Sequence, residues 1–205
     1  SPDLVIAAPS MGQRNVLDAL RRQQIPVLVV FLDTTAEVDD ALVAIARQLR
    51  KGPAAAALIA KRRHALEEAR IRLHACAWRG GTAPRVLVLA GTQPLVAAGP
   101  GTFVDDVARD MGLFNAVGAS SPMWPRLSLE SMLATKPDLI IVTPGESAAL
   151  ALQGELAALR LGAGLSPPLL WDVTPLLQRP GPSIDEDVSR LAGLIVGKCP
   201  NHSHD

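Results

Sequence analysis

Short runs of apolar, often β-branched residues alternate along the chain with longer segments whose apolar positions recur every three or four residues. The short runs are bounded by Pro or Asp, which is typical of buried strands. They lie at residues 3–7, 26–31, 85–90, 138–143 and 169–172. The helical pattern covers residues 15–23, 36–50, 102–111, 128–134, 146–160 and 183–196. This alternation predicts an α/β fold built on parallel sheets.

One predicted helix is much longer than the others. Residues 53–78 begin with Pro53, contain no internal Gly or Pro, and are rich in Ala, Leu, Glu, Lys and Arg. At 1.5 Å per residue this helix would be roughly 39 Å long, whereas a mean helix has about 11 residues. We therefore expect it to join two lobes rather than to pack as a crossover on one sheet.

A seven-residue segment occurs twice, once on each side of the long helix. Residues 1–7 read Ser-Pro-Asp-Leu-Val-Ile-Ala, and residues 136–142 read Lys-Pro-Asp-Leu-Ile-Ile-Val. The repeat predicts two similar α/β lobes, the first of which would need roughly one further βαβ unit ahead of Ser1. The predicted domains are a partial N-terminal lobe at 1–52, the interlobe helix at 53–80, a C-terminal lobe at 81–198 and a flexible tail at 199–205.

Composition and charge limit the classes of partner that we expect the chain to bind. The chain has 205 residues, 48% of them hydrophobic, with 20 basic and 20 acidic side chains and a formal net charge of zero. Without a basic stripe we expect no nucleic-acid or anionic-membrane partner. The two cysteines, Cys76 and Cys199, allow one disulfide or none. Neither an initiator Met nor a leader stands at Ser1, so we expect any targeting peptide or lipid anchor to have been removed or left out.

The histidines argue against catalysis and against a metal site. His64 and His74 fall on the long helix, His202 and His204 fall in the tail, and none follows a predicted strand. Ten positions separate His64 from His74, about 280° around a helix, so the two rings face apart. The tail residues from Cys199 onward form either a flexible metal-binding arm or, as we expect, a disordered terminus.

A Gly-Pro-Gly-Thr sequence at residues 99–102 precedes a predicted helix. Free backbone N–H groups at such a place could hold a phosphate, as in a nucleotide or phospho-ligand enzyme. However, no Lys follows Gly101 and no complete GxGxxG is present. We expect a tight loop in which Thr102 caps the helix.

Two further segments carry a resemblance to a known family. Residues 96–112 read Val-Ala-Ala-Gly-Pro-Gly-Thr-Phe-Val-Asp-Asp-Val-Ala-Arg-Asp-Met-Gly, and residues 124–130 read Trp-Pro-Arg-Leu-Ser-Leu-Glu. With the long helix and the repeat, the chain resembles, over residues 1–197, the helical-backbone solute-binding proteins of ABC importers for cobalamin, ferric siderophores and haem. The resemblance implies two parallel-sheet lobes joined by one long interlobe α-helix.

The same resemblance implies binding without catalysis or a cofactor. The expected ligand is cobalamin or a related metal chelate such as a ferric siderophore, held in the cleft between the lobes and delivered to the permease of an ABC importer. It further implies a monomer in the periplasm or another extracytoplasmic location, with a lipid anchor as an option for the full-length protein. Zinc or manganese capture is an alternative, but the predicted cleft segments contain no His.

Trp124 is the predicted ligand-stacking residue. In the family, an aromatic side chain at the matching place contacts cobalamin, and the alternative is an indole that covers the edge of the core. Ala8 and Val96 stand where corrinoid binders carry further aromatics, which allows a smaller or differently shaped ligand. With Pro9 and Pro125, they are predicted to line the cleft. The chain contains no Tyr, so it offers no tyrosinate for haem iron.

Glu130 matches the acidic residue with which family members engage an arginine of the permease. One exposed carboxylate on each lobe would orient the protein over the pore. An alternative is a capping-box-like acid near the start of a helix. The matching position in the first lobe is Arg14, a charge reversal, and Asp18 is the nearest carboxylate.

Overall fold

The computed structural model describes residues 2–8, 14–76, 78, 83–158, 169–170, 181 and 184–199, without the side chains of residues 14, 15, 169, 170 and 184. The chain divides into two compact units, Ser1–Ala60 and Lys61–Asp205. The division falls within the long helix, and the domain limits expected from the sequence stay a prediction.

The first unit is a small α/β arrangement. Strand β1 (Val5–Ala7) lies parallel to β2 (Val27–Val29), with Val5 opposite Val27. Helices α1 (Arg14–Arg22) and α2 (Thr35–Leu49) follow β1 and β2. A complete capping box starts α2, because the Thr34 hydroxyl accepts from the Glu37 N–H and the Glu37 carboxylate accepts from the Thr34 N–H. Each element lies where the apolar pattern predicts it.

Helix α3 (Gly52–His74) is the long helix, with 23 residues. It begins one residue before the predicted start and ends four residues before the predicted end. Its part in the second unit buries a stripe of apolar side chains at helical spacing, which comprises Ala65, Leu66, Ala69 and Leu73. The segment after His74 instead turns to bring Cys76 into a disulfide with Cys199.

The second unit contains a six-stranded sheet in the order β6-β4-β3-β7-β8, with β5 paired to β3. Its strands are β3 (Arg85–Thr92), β4 (Leu95–Ala97), β5 (Phe114–Asn115), β6 (Arg126–Leu127), β7 (Leu139–Val142) and β8 (Leu169–Leu170). Its further helices are α4 (Phe103–Asp110), α5 (Leu129–Ala134), α6 (Glu146–Ala158) and α7 (Ile184–Val196). All four residues of β7 are buried. This strand forms the end of the second copy of the repeat, just as β1 forms the end of the first.

The sheet of the second unit contains antiparallel as well as parallel pairs of strands. Strand β3 is parallel to β5 and β7, and β7 is parallel to β8, but β4 is antiparallel to both β3 and β6. Only Gln93 and Pro94 separate β3 from β4. A two-residue connection permits an antiparallel hairpin and no parallel crossover, so the sheet is mixed.

Three contacts among the described residues attach α7 and the turn after it to α3 and the turn after that helix. The Lys61 ammonium donates to Asp185 Oδ2 at 2.5 Å, Arg72 Nη1 lies 3.5 Å from the Ser189 carbonyl oxygen, and Cys76 is bonded to Cys199. The hydrogen bond between Lys61 and Asp185 raises the pKa of the ammonium and lowers the pKa of the carboxyl. The helix α7 is thereby held along the length of α3 that lies in the second unit.

Cys199 was expected to begin a flexible tail, and this is wrong. Its side chain is buried and forms the disulfide, because the turn after α7 carries it toward the end of α3. His202 and His204 lie outside the described residues. No helix in the described part of the chain combines the length and apolarity needed to cross a bilayer.

Candidate functional site

The loop between β4 and α4 is held by hydrogen bonds inside the protein. The Gly99 N–H donates to the Met123 carbonyl oxygen at 2.7 Å, and the Gly101 N–H donates to Asp105 Oδ2 at 3.4 Å. Thr102 caps α4, because its hydroxyl accepts from the Asp105 N–H at 3.1 Å and donates to the Gly99 carbonyl oxygen at 2.8 Å. These bonds fix the loop conformation.

Asn115 braces the same loop from β5. Its Nδ2 donates to the Ala98 carbonyl oxygen at 3.0 Å and to Asp105 Oδ1 at 2.9 Å, and its Oδ1 accepts from the Val117 N–H. Asp105 is buried, so these donors replace the water that its carboxylate loses. The sequence reasoning did not identify this role for Asn115.

The alternative of a phosphate-binding loop at residues 99–102 is not supported by this geometry. The N–H groups of Gly99 and Gly101 are already engaged. Asp105 and Asp106 lie in the first turn of α4, where their negative charge would repel a phosphate. The expected tight loop with Thr102 as the cap is confirmed.

The segment that carries Trp124 runs beside β4 and the residues after it in one continuous antiparallel register. Leu127 lies opposite Leu95, and Arg126 lies opposite Val96. The Ala97 N–H then donates to the Pro125 carbonyl oxygen at 3.0 Å, and the bond from Gly99 to Met123 continues the ladder. In this register Trp124 lies opposite Ala98, with half of its surface exposed to solvent (50%).

Gly99 allows this close pairing because it has no side chain. A Cβ built at Gly99 would lie 2.3 Å from the Pro122 carbonyl oxygen, 3.2 Å from the Met123 carbonyl oxygen and 3.3 Å from Pro125 Cδ. Any larger residue would push the Trp124 segment away from the loop. The requirement for Gly99 was missed at the sequence level, although a glycine flanking Pro100 is a signal of close backbone approach.

The other predicted ligand contacts are divided between the two units. Val96 is half-buried on β4, and Pro125 is half-buried beside Trp124. Ala8 belongs to the first unit, where it is exposed directly after β1, and Pro9 lies outside the described residues.

Glu130 is exposed in the first turn of α5, after the N-cap Ser128. The Glu130 backbone N–H and the Ser128 hydroxyl donate to its carboxylate and hold its pKa below the usual value. Glu130 is not the acid of the capping box, since that position is taken by Ser131, whose hydroxyl accepts from the Ser128 N–H at 2.8 Å. Within the described residues no basic side chain forms a salt bridge with Glu130, so its carboxylate faces solvent as a charged group.

Asp18, the candidate docking residue of the first unit, has a different environment. Its carboxylate forms an ion pair with Arg21 of the same helix at 3.2 Å. The side chain of Arg14 lies outside the described residues. Asp18 is therefore partly neutralised within α1, unlike Glu130.

The histidines of α3 take part in no metal cluster among the described residues, where no three His, Cys, Asp or Glu side chains converge. His64 Nε2 lies 3.4 Å from Glu68 Oε1, a surface contact one helical turn away.

The mixed α/β fold in two compact units defines the structural class of the chain, and comparison with known proteins identifies its family. The chain belongs to the periplasmic binding protein family, whose model matches residues 1–159. Membership of this family implies an extracytoplasmic location.

A curated relative and two solved structures agree with this family. The vitamin B12-binding protein of Salmonella typhi is 30% identical over 144 residues, which cover 69% of this chain and 51% of the relative. The chain thus spans about half the length of the curated relative it matches.

A periplasmic heme-binding protein from Pseudomonas aeruginosa superposes with a TM-score of 0.73 at 22% identity, over 97% of this chain and 73% of that one. The periplasmic vitamin B12-binding protein of Vibrio cholerae gives a TM-score of 0.67 at 22% identity, over 96% and 75%. At these identities the likeness shows the fold alone, and it confirms the predicted fold class.

Proposed function

We propose that this chain captures a metal chelate, either cobalamin or a related corrinoid or a ferric siderophore, and delivers it to the permease of an ABC importer. The observation that carries the proposal is Trp124, an indole half in solvent on a segment clamped to the Gly99 loop, in a chain of the periplasmic binding protein family. A planar aromatic ring on a rigid support suits stacking on a macrocycle or a chelate face. Ala8, Pro9, Val96 and Pro125 stay predicted contacts.

The disulfide supports the location that this function requires. Bonds such as Cys76–Cys199 form and persist in oxidising compartments, which include the bacterial periplasm. We further propose that the protein acts as a monomer and that the full-length protein carries a lipid anchor.

Replacing Trp124 with alanine is expected to weaken binding of the preferred chelate about tenfold or more, because the stacking surface is lost. Isothermal titration of cyanocobalamin and ferrioxamine B into both proteins measures the change. Phe114→Ala is the matched control, since Phe114 is also an exposed aromatic of the second unit (58%) but pairs with Arg85 at the start of β3. If neither compound binds the unaltered chain, the proposed ligand class is wrong.

We propose that Glu130 docks the protein on an arginine of the permease. Its support is a charged, solvent-facing carboxylate at the start of α5, held in place by Ser128. Asp18 is the corresponding candidate of the first unit, although its pairing with Arg21 leaves less charge for a partner.

The variant Glu130→Gln is expected to keep its affinity for the chelate and to reduce importer-dependent uptake severalfold, because the charge-assisted contact with the permease is lost. Uptake of radiolabelled chelate by cells that carry the importer, beside a titration of the purified variant, separates the two effects. Glu155→Gln removes an exposed carboxylate from α6 and serves as the control. Equal uptake by both variants would exclude a docking role for Glu130.

A further inference from the structure

Trp124 is attached to the second unit through residues 97–99. The first and last N–H groups of that stretch donate to the carbonyl oxygens of Pro125 and Met123, at 3.0 and 2.7 Å. These two bonds lie on either side of Trp124 in the chain, so the position of its backbone follows the position of residues 97–99. The placement of the indole therefore depends on what holds that stretch.

Ala98, in the middle of the stretch, is held from two sides. Its N–H donates to the Val88 carbonyl oxygen at 2.9 Å, which is a backbone bond to β3. Its carbonyl oxygen accepts from Asn115 Nδ2 at 3.0 Å. Ala98 is buried, and a buried carbonyl oxygen that loses its donor is left without the water it gave up on folding. The bond from Asn115 is made by a side chain, so a substitution can remove it.

The bonds of Asn115 fix the orientation of its amide. Besides the bond to Ala98, Nδ2 donates to Asp105 Oδ1 at 2.9 Å, and Oδ1 accepts from the Val117 N–H at 3.0 Å. An amide rotated by 180° would place its oxygen against two oxygen atoms and its N–H groups against another N–H. Asn115 is therefore a fixed link that joins β5, the first turn of α4 and Ala98.

We propose that Asn115 is a positioning residue for chelate capture, because it fixes Ala98 and, through residues 97–99, the segment that carries Trp124. The inference rests on the proposed capture of a metal chelate, and it assigns to Asn115 an effect on affinity that is exerted through Ala98 and not through a contact with the ligand. A ring that is held in place before the ligand arrives loses less conformational freedom on binding.

Three variants separate positioning from stability. Asn115→Asp keeps the size of the side chain and the acceptor for the Val117 N–H, but it puts an oxygen against the Ala98 carbonyl oxygen and Asp105 Oδ1. The double variant D105N/N115D lets positions 105 and 115 form a hydrogen bond again, with donor and acceptor exchanged, and still offers Ala98 no amide donor from position 115. Asn115→Ser is a neutral, shorter variant whose hydroxyl can keep the bond to the Val117 N–H.

The position of Trp124 and the affinity for chelates are measured separately on the full chain. The chain has three tryptophans, and fluorotryptophan labelling gives each a fluorine NMR signal. The Trp124 signal is the one absent from Trp124→Phe. Isothermal titration of cyanocobalamin and ferrioxamine B measures affinity, and denaturant midpoints measure stability. Ile195→Val, which trims a buried side chain of α7, is the control for a moderate loss of stability.

We expect Asn115→Asp and Asn115→Ser to shift or broaden the Trp124 signal and to weaken binding of the preferred chelate about threefold to tenfold in the folded protein. D105N/N115D should recover part of the denaturant midpoint that Asn115→Asp loses, without recovering the Trp124 signal or the affinity. Ile195→Val should lower the midpoint and leave both the signal and the affinity unchanged.

The inference is overturned if the Trp124 signal or the affinity is the same in Asn115→Ser as in the unaltered chain. It is also overturned if D105N/N115D recovers the signal together with the midpoint, since the bond to Ala98 would then be irrelevant. Asn115→Ser decides the matter if Asn115→Asp does not fold. If neither chelate binds the unaltered chain, the proposed function is wrong, and the fluorine signal, which needs no ligand, then decides by itself whether Asn115 positions Trp124.

Discussion

The variant C76S/C199S is expected to unfold with a free energy about 2–5 kcal/mol lower than that of the unaltered second unit. The bond joins residues 123 positions apart, and a cross-link that closes so long a loop removes about 5 kcal/mol of chain entropy from the unfolded state in the simplest treatment. For a unit of this size the melting temperature should fall by roughly 5–15 °C.

Thermal unfolding followed by circular dichroism, with and without reductant, measures this effect. Reductant should lower the melting temperature of the unaltered chain and leave that of the double variant unchanged. Asp185→Asn removes a second attachment between α3 and α7 and should have a smaller effect, because Lys61 is mostly exposed. If the double variant has the same melting temperature as the unaltered chain, the disulfide contributes nothing to stability.

The strands and helices that follow strong periodic patterns were predictable from the sequence. The buried run that becomes β7 and the capped helix α4 lie within one or two residues of their expected bounds, because local pattern and tertiary environment agree there. The short strands β4, β5 and β6 were missed. Two or three residues carry no recognisable period. The pairing of β4 and β6 further depends on the Gln93–Pro94 connection and on Gly99.

The candidate site was predicted in part. Trp124 could be selected because an aromatic residue in a polar loop stands out, whereas Asn115 could not, since its role depends on Ala98 and Asp105 approaching it in the folded chain. The disulfide was likewise left open, because the approach of Cys76 to Cys199 depends on how α7 packs along α3. Contacts between residues distant in sequence are set by tertiary packing, which local patterns do not encode.

Replacing Gly99 with alanine is expected to destabilise the second unit by about 2–3 kcal/mol and also to weaken chelate binding. The added Cβ would lie 2.3 Å from the Pro122 carbonyl oxygen, and since that atom belongs to the backbone no side-chain rotation relieves the overlap. The segment must move away from the loop, which breaks the bond between the Gly99 N–H and the Met123 carbonyl oxygen and shifts Trp124.

Gly118→Ala is the matched control, because a Cβ at Gly118 would meet nothing within 4 Å. Its denaturant midpoint and chelate affinity should equal those of the unaltered chain, whereas Gly99→Ala should lower both. If the two glycine variants behave alike, the close approach of Pro122 does not constrain Gly99. The loss of chelate binding in Gly99→Ala can also exceed the loss that its unfolded fraction accounts for. That result would show that the position of Trp124, and not only the stability of the unit, depends on the absence of a side chain at Gly99, because one segment both packs against the loop and carries the exposed indole.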